Sequence, residues 1–137
     1  MQQNFIANQS VASHTGRTLP VIDPSDGQPF DDIQRSDERD INDAVRAARR
    51  CFEGPWSALS AAERGRLLMA LSRKVAEHAD ELAAIEQRDC GKPTSQAAAD
   101  AAALARYFEF YAGACDKFHG ETIPYQNGYS VFTWREP

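Results

Sequence analysis

Seven alanines fall between Ala97 and Ala105, and that run constrains the fold more than any other feature of the chain. Alanine has the highest intrinsic helix propensity, and so small a side chain lets another segment approach closely. Past the alanines, Leu104, Phe108, Tyr111 and Cys115 recur on one stripe, so the spacing predicts a long helix from about Ser95 to His119. Three shorter helices are predicted ahead of it. Ser36 can cap the first, whose opening turn carries Asp37, Glu38 and Asp40 and whose narrow apolar face holds Ile41, Ala44, Val45, Ala48 and Phe52 before Gly54-Pro55 ends it. The second starts at Ser60 with Glu63 as a capping box and presents Leu67, Leu68, Leu71 and Val75. It tolerates Gly65 at a cost of about 1 kcal/mol. The third, Asp80 to Arg88, uses Leu82 and Ile85, and Gly91-Lys92-Pro93 stops it.

Short strands flank this helical middle. Phe5 to Gln9, Thr18 to Ile22 and Pro29 to Gln34 read as strands, and Asp23-Pro24-Ser25-Asp26-Gly27 reads as a turn. Asn127-Gly128 is a hairpin signal ahead of a last strand, Tyr129 to Glu136. That strand is apolar on both faces, Tyr129 and Val131 on one and Phe132 and Trp134 on the other, so it expects cover on both. The fold class is therefore α+β: strands and turns over residues 1–35, helices over 36–120 and the start of a strand region over 121–137. The strands are too few and too short to make a stable sheet by themselves.

Composition removes several function classes. A net charge of −5 without a basic patch argues against nucleic acid. No run approaches the roughly 18 apolar residues of a membrane helix, and the stretch from Met1 to Gln9 lacks the cationic and apolar regions of a secretory signal. Cys51, Cys90 and Cys115, without CxxC spacing, fit a reducing compartment better than a disulfide framework. A cytoplasmic protein is the expectation, with neither nucleic acid nor membrane as partner. A search for catalytic constellations returns none: no phosphate-binding glycine loop and no nucleophile elbow. His14, His78 and His119 lie too far apart in sequence for a recognisable ligand pattern.

Order and spacing of motifs carry the next step. Asp23-Pro24-Ser25-Asp26-Gly27-Gln28, Ala44-Val45-Arg46-Ala47-Ala48-Arg49, Trp56, Glu63-Arg64, Glu81-Leu82-Ala83, Asp89-Cys90-Gly91-Lys92-Pro93 and the block from Arg106 to Pro124 occur in one order. Together they resemble the N-terminal segment of the NAD(P)-dependent aldehyde dehydrogenase family, whose parent fold is α/β. The resemblance implies a parent enzyme that oxidises an aldehyde to a carboxylic acid through a cysteine thiolate and a general-base glutamate. Both groups, and the cofactor loop, belong to segments that follow Pro137 in the family. The expectation is thus a truncated part with no catalytic residue: it binds neither NAD nor NADP alone, and its partners are the missing remainder and further copies in a dimer or tetramer. The alternative is a natural short protein that binds a full-length relative and modulates its assembly.

The resemblance also implies three sets of site residues. Ala99 and Ala103 match positions that line the family's substrate tunnel. Val21 and Ile22, through backbone carbonyls, and Asp89 match part of a monovalent-cation site, an oxygen-only shell suited to a hard cation. The alternative for Asp89 is that it accepts hydrogen bonds from the Gly91-Lys92 turn. Tyr129, Val131, Phe132 and Trp134 match the strand that joins subunits.

Overall fold

Two positive φ angles decide how the chain starts. In the computed structural model, which describes residues 1–136, Ala7 and Asn8 stand at φ 53° and 63°, the signature of a two-residue primed turn. They fold the start into a hairpin of β1 (Asn4–Ile6) and β2 (Gln9–Val11), with Phe5 opposite Ser10. This corrects the single strand predicted from Phe5 to Gln9: the backbone reverses in its middle. Strands β3 (Thr18–Ile22) and β4 (Pro29–Gln34) form an antiparallel pair with the predicted bounds. Between them the Asp23 carboxylate accepts from the Ser25 N–H at 2.9 Å and the Ser25 hydroxyl at 2.6 Å, and Gly27 supplies φ 71°.

Helix α1 (Glu38–Cys51) is capped by Asp37, not by Ser36. The Asp37 carboxylate accepts from the Arg39 and Asp40 N–H groups, and Asp40 returns the bond to the Asp37 N–H at 2.8 Å. The Ser36 hydroxyl is used elsewhere, donating to Asn4 Oδ1 on the first hairpin at 3.0 Å. The regular helix ends before Gly54-Pro55, passing into one wide π-type turn, Phe52–Trp56, in which Gly54 leaves helical geometry. Helix α2 (Ala61–Glu77) has the predicted Ser60–Glu63 capping box. Helix α3 (Ala79–Cys90) closes on Gly91 at φ 69°, whose N–H reaches the Gln87 carbonyl. Helix α4 (Thr94–Ala114) ends earlier than the predicted His119, because the Lys117 N–H takes the Ala114 carbonyl in a tight turn.

The last ribbon pairs β5 (Thr122–Ile123) with β6 (Val131–Phe132), Thr122 opposite Phe132 and Ile123 opposite Val131. It is much shorter than the strand predicted from Tyr129 to Glu136. Pro124 follows Ile123 and has no N–H to extend the ladder. Pro137, the last residue of the predicted terminal region, lies outside the described residues.

The helices pack through their smallest residues. The buried apolar cluster is Ala83, Ala97 and Ala101, with Ala79 and Leu82 against it. Ala97 and Ala101 of α4 are therefore contact residues as well as helix formers. On α2 the inward positions are Gly65, Leu68, Ser72 and Val75, a 3-4-3 spacing that stays on one stripe. A Cβ at Gly65 would stand 2.7 Å from the Ala112 carbonyl oxygen, and the Ser72 hydroxyl donates to the Ala105 carbonyl at 2.7 Å. Leu67 and Leu71, predicted beside Leu68 and Val75 on the packed face, are 52% and 42% exposed. The sharper inward stripe is what lets α2 lie so close to α4.

A polar joint ties the segment after the first hairpin to α1. The backbone N–H of His14 donates to the buried Asp40 carboxylate at 3.0 Å, and its Nε2 stands 2.9 Å from Asp43. The hydrogen bond to Asp43 raises the His14 pKa, and the Asp37 N–H does most to lower that of Asp40. A lowered carboxylate contributes stability above its unfolded pKa that is lost as pH falls through the folded value. Asn at position 40 keeps an acceptor oxygen without the charge. Asp40→Asn is expected to flatten the fall of urea-unfolding stability between about pH 5 and pH 2, and an unchanged slope would show that Asp40 does not drive it.

Candidate cation groove and exposed apolar face

Strands β3 and β4 and helix α3 line an open groove of about 550 Å³. Val21, Phe30 and Ile33 come from the strands, and Ile85, Arg88 and Asp89 from the helix. The ladder is irregular here: Val21 pairs with Asp31 but Ile22 pairs with Pro29, leaving Phe30 as the extra residue. Proline opposite Ile22 has no N–H to offer, so that rung supplies no donor to the Ile22 carbonyl. Arg88 lies with its Cζ 4.3 Å from the Phe30 ring centroid and its Nε 3.7 Å from Asp23. Asp31 is tied to the Met1 ammonium at 2.6 Å and to Gln2 at 2.9 Å, contacts that hold its pKa down at about 2.

Of the three predicted cation ligands, Val21 and Asp89 line this groove, while Ile22 sits at the adjoining end of β3 and is not part of the lining. Asp89 is exposed and is not taken up by the turn after α3. The Gly91 N–H goes to Gln87, and the Lys92 ammonium is shared by Glu86 and Asp100. Among the described residues no hydrogen bond from that turn reaches Asp89. A carboxylate joined by backbone carbonyls would be the donor chemistry of a hard, oxygen-bound cation. Among the described residues no three His, Cys, Asp or Glu side chains gather as a metal shell.

The Lys92 cluster was not anticipated from sequence. Its ammonium stands 2.6 Å from Asp100 and also contacts Glu86, tying α3 to α4, and those two bonds, Asp100 first, raise its pKa. Glu86, Lys92 and Asp100 are separated by a helix stop, so helical charge spacing alone does not pair them.

The remaining predicted residues are on the surface. Ala99 and Ala103, one turn apart on α4, are both exposed, in contrast to Ala97 and Ala101. On the last ribbon Val131 is half-buried, whereas Tyr129, Phe132 and Trp134 are exposed. Large apolar side chains are also exposed on α2, at Leu67 and Leu71, and on α4, at Leu104, Tyr107, Phe110 and Tyr111. The thiols of Cys90 and Cys115 point back to helical carbonyls, those of Glu86 and Tyr111. His14 and His78 pair with separate carboxylates, Asp43 and Glu81.

With this geometry in hand, similarity to known proteins identifies the class. The sequence model of the Aldehyde dehydrogenase family matches residues 11–137. Aldehyde dehydrogenase family 2 member B4, mitochondrial, of Arabidopsis thaliana is 44% identical over 137 residues, 98% of this chain and 26% of that protein. A crystal structure from Burkholderia cenocepacia, provisionally named an aldehyde dehydrogenase, superposes with a TM-score of 0.94 at 63% identity, covering 98% of this chain and 28% of its own. The structure of PnpE in complex with nicotinamide adenine dinucleotide superposes at 0.88 with 36% identity, over 96% of this chain and 27% of its own. The chain belongs to the aldehyde dehydrogenase family. It spans about a quarter of the length of these relatives, and its helices and ribbons are an N-terminal portion of their fold. These matches lend no support to the alternative of an independent assembly modulator.

Proposed function

We propose that this chain serves an enzyme that oxidises an aldehyde to a carboxylic acid with NAD or NADP, as its wall and support rather than its reacting centre. The observation that carries the reading is the contrast between core and surface. The buried apolar residues are small, Val75 being the largest, while Leu67, Leu71, Tyr107, Phe110 and Tyr111 are each more than 40% exposed. So many large apolar side chains left exposed on two packed helices favour an interface, and the remainder of the enzyme is the partner we assign to it.

On this reading Ala99 and Ala103 border the passage by which substrate reaches the thiolate, their small side chains keeping it open. The last ribbon, through Tyr129, Val131, Phe132 and Trp134, joins copies into a dimer or tetramer, since its exposed edge and aromatic faces favour pairing. The cytoplasm is the compartment we assign, in keeping with three free thiols. We expect no nucleic-acid partner, given the acidic balance, and among the described residues no helix is long and apolar enough to cross a membrane.

Val21, Ile22 and Asp89 hold part of the shell of a monovalent cation, whose charge would brace β3 against α3. Asp89→Ala in an intact enzyme containing this segment is expected to weaken the dependence of activity on potassium or sodium without abolishing turnover. Identical responses of wild type and variant to the two ions would remove the site.

The sequence carries no glycine-rich phosphate loop, and we assign no dinucleotide-binding step to this chain. The purified 137-residue chain is expected to make no NADH from simple aldehydes and to show no NAD affinity by calorimetry. A longer chain that continues into the rest of the fold is expected to do both. NADH production by the short chain, freed of host enzyme, would overturn the reading.

A further inference from the structure

We propose that Asn127 is a site of spontaneous covalent modification, cyclising onto Gly128 and opening to aspartate and isoaspartate. The reaction needs no catalyst and no oxidant. The Gly128 amide nitrogen, losing its proton, attacks Cγ of Asn127. The new N–C bond forms as the bond to the side-chain nitrogen breaks, and that nitrogen leaves as ammonia. Water then adds to either carbonyl of the five-membered imide, giving aspartate or, by the other opening, an isoaspartyl link with one more backbone carbon. The balance is one amide and one water in, one carboxylate and one ammonium out.

Four observations single out this position. Asn127 is the one asparagine followed by glycine; Asn4, Asn8 and Asn42 precede Phe5, Gln9 and Asp43, whose side chains crowd the attacking nitrogen. Asn127 and Gly128 are both exposed, and apart from the chain neighbours nothing lies within 4 Å of where a Gly128 Cβ would stand, so the turn is open to solvent on that side. Among the described residues neither the Asn127 side chain nor the Gly128 N–H is held by a hydrogen bond. The turn itself is closed only by the Tyr129 N–H to the Gln126 carbonyl at 3.2 Å, above a ribbon of two residue pairs.

The positive φ falls on Gly128 alone, at 89°, the pattern of a type II turn, and glycine there lets the preceding peptide rotate toward attack. Asp26-Gly27 is the internal contrast, because the Asp26 carboxylate is occupied by the Gln28 N–H at 2.9 Å. Modification places a negative charge and extra backbone length between Tyr125 and Tyr129, whose rings meet edge to face at 5.9 Å. The ribbon is loosened in consequence.

The test is peptide mapping by mass spectrometry of the full chain held in mildly alkaline buffer, beside a synthetic Tyr125–Ser130 peptide. The expected result is replacement of amide by carboxyl at Asn127, with isoaspartate among the products, matching release of ammonia, and Asn4, Asn8 and Asn42 unchanged. Asn127→Gln is expected to lose the signal and Gly128→Ala to slow it. A folded chain that stays unmodified while the peptide reacts would overturn the proposal, and so would an inert peptide. Should a variant fold poorly, the wild-type chain in urea supplies the fully open rate for comparison.

Discussion

Gly65→Ala is expected to destabilise the chain, although helix propensity alone gives the opposite sign. Alanine is better than glycine in a helix interior by about 1 kcal/mol, so a surface glycine on α2 would gain from the change. Gly65 is buried, and its would-be Cβ meets the Ala112 carbonyl oxygen at 2.7 Å, with Ala112 C and Cys115 Cβ at 3.7 Å. The near atom is backbone inside α4 and cannot rotate away. To admit the methyl group the helices must separate, which stretches the 2.7 Å bond from Ser72 to the Ala105 carbonyl. Overpacking of this kind costs about 1–3 kcal/mol, which offsets or exceeds the propensity gain and leaves a net loss for alanine of up to about 2 kcal/mol, larger for Gly65→Val. Urea-unfolding midpoints give the answer directly. A midpoint for Gly65→Ala at or above wild type would mean that α2 and α4 do not approach so closely.

Gly65 also shows what a sequence pattern conveys and what it leaves out. Helix α2 was legible to its capping box because Ser60 and Glu63 interact within one turn, and β3 and β4 because proline and glycine punctuate their ends. The packed side of α2 was not legible. Leu67, Leu68, Leu71 and Val75 make a plausible apolar stripe, but the stripe that meets α4 contains glycine and serine, which no hydrophobic count selects. Their role depends on a second helix supplying carbonyls at Ala105 and Ala112, a relation between segments some forty residues apart. The first hairpin was hidden for a related reason: alanine at positive φ is uncommon, and Ala7 adopts it in a turn between β1 and β2, whose pairing is a relation between two strands.

The candidate cation groove was partly legible. Val21 and Asp89 were named from motifs far apart in sequence, and the fold brings them to one concavity. The irregular rung opposite Pro29 was not visible beforehand, because a bulge is a property of two strands in register. The Lys92 bridge to Glu86 and Asp100 was likewise hidden by the intervening helix stop.

Gly120→Ala is expected to unpair the β5–β6 ribbon while leaving the helices intact. A Cβ on Gly120 would fall 2.0 Å from the Thr133 carbonyl oxygen and 3.3 Å from its Oγ1, so the two segments cannot keep their present approach. The loss is steric and not conformational, since Gly120 is absent from the positive-φ glycines. Three bonds depend on that approach: Thr133 N–H to the Glu121 carbonyl at 2.8 Å, Glu121 N–H to Thr133 Oγ1 at 2.7 Å, and Arg135 Nε to the His119 carbonyl at 2.9 Å. Each contributes about 0.5–1.5 kcal/mol net, enough together to open a ribbon with only two paired residues on each strand. Amide exchange separates the effects: protection at Thr133 is expected to vanish, while protection within α2 and α4 stays at the wild-type level. Thr133→Val removes only the hydroxyl acceptor and is expected to cost part of that protection. If Thr133 kept its protection in Gly120→Ala, the contact would not hold the ribbon. Uniform loss across α2 and α4 would mean instead that the ribbon and the helices unfold as one unit.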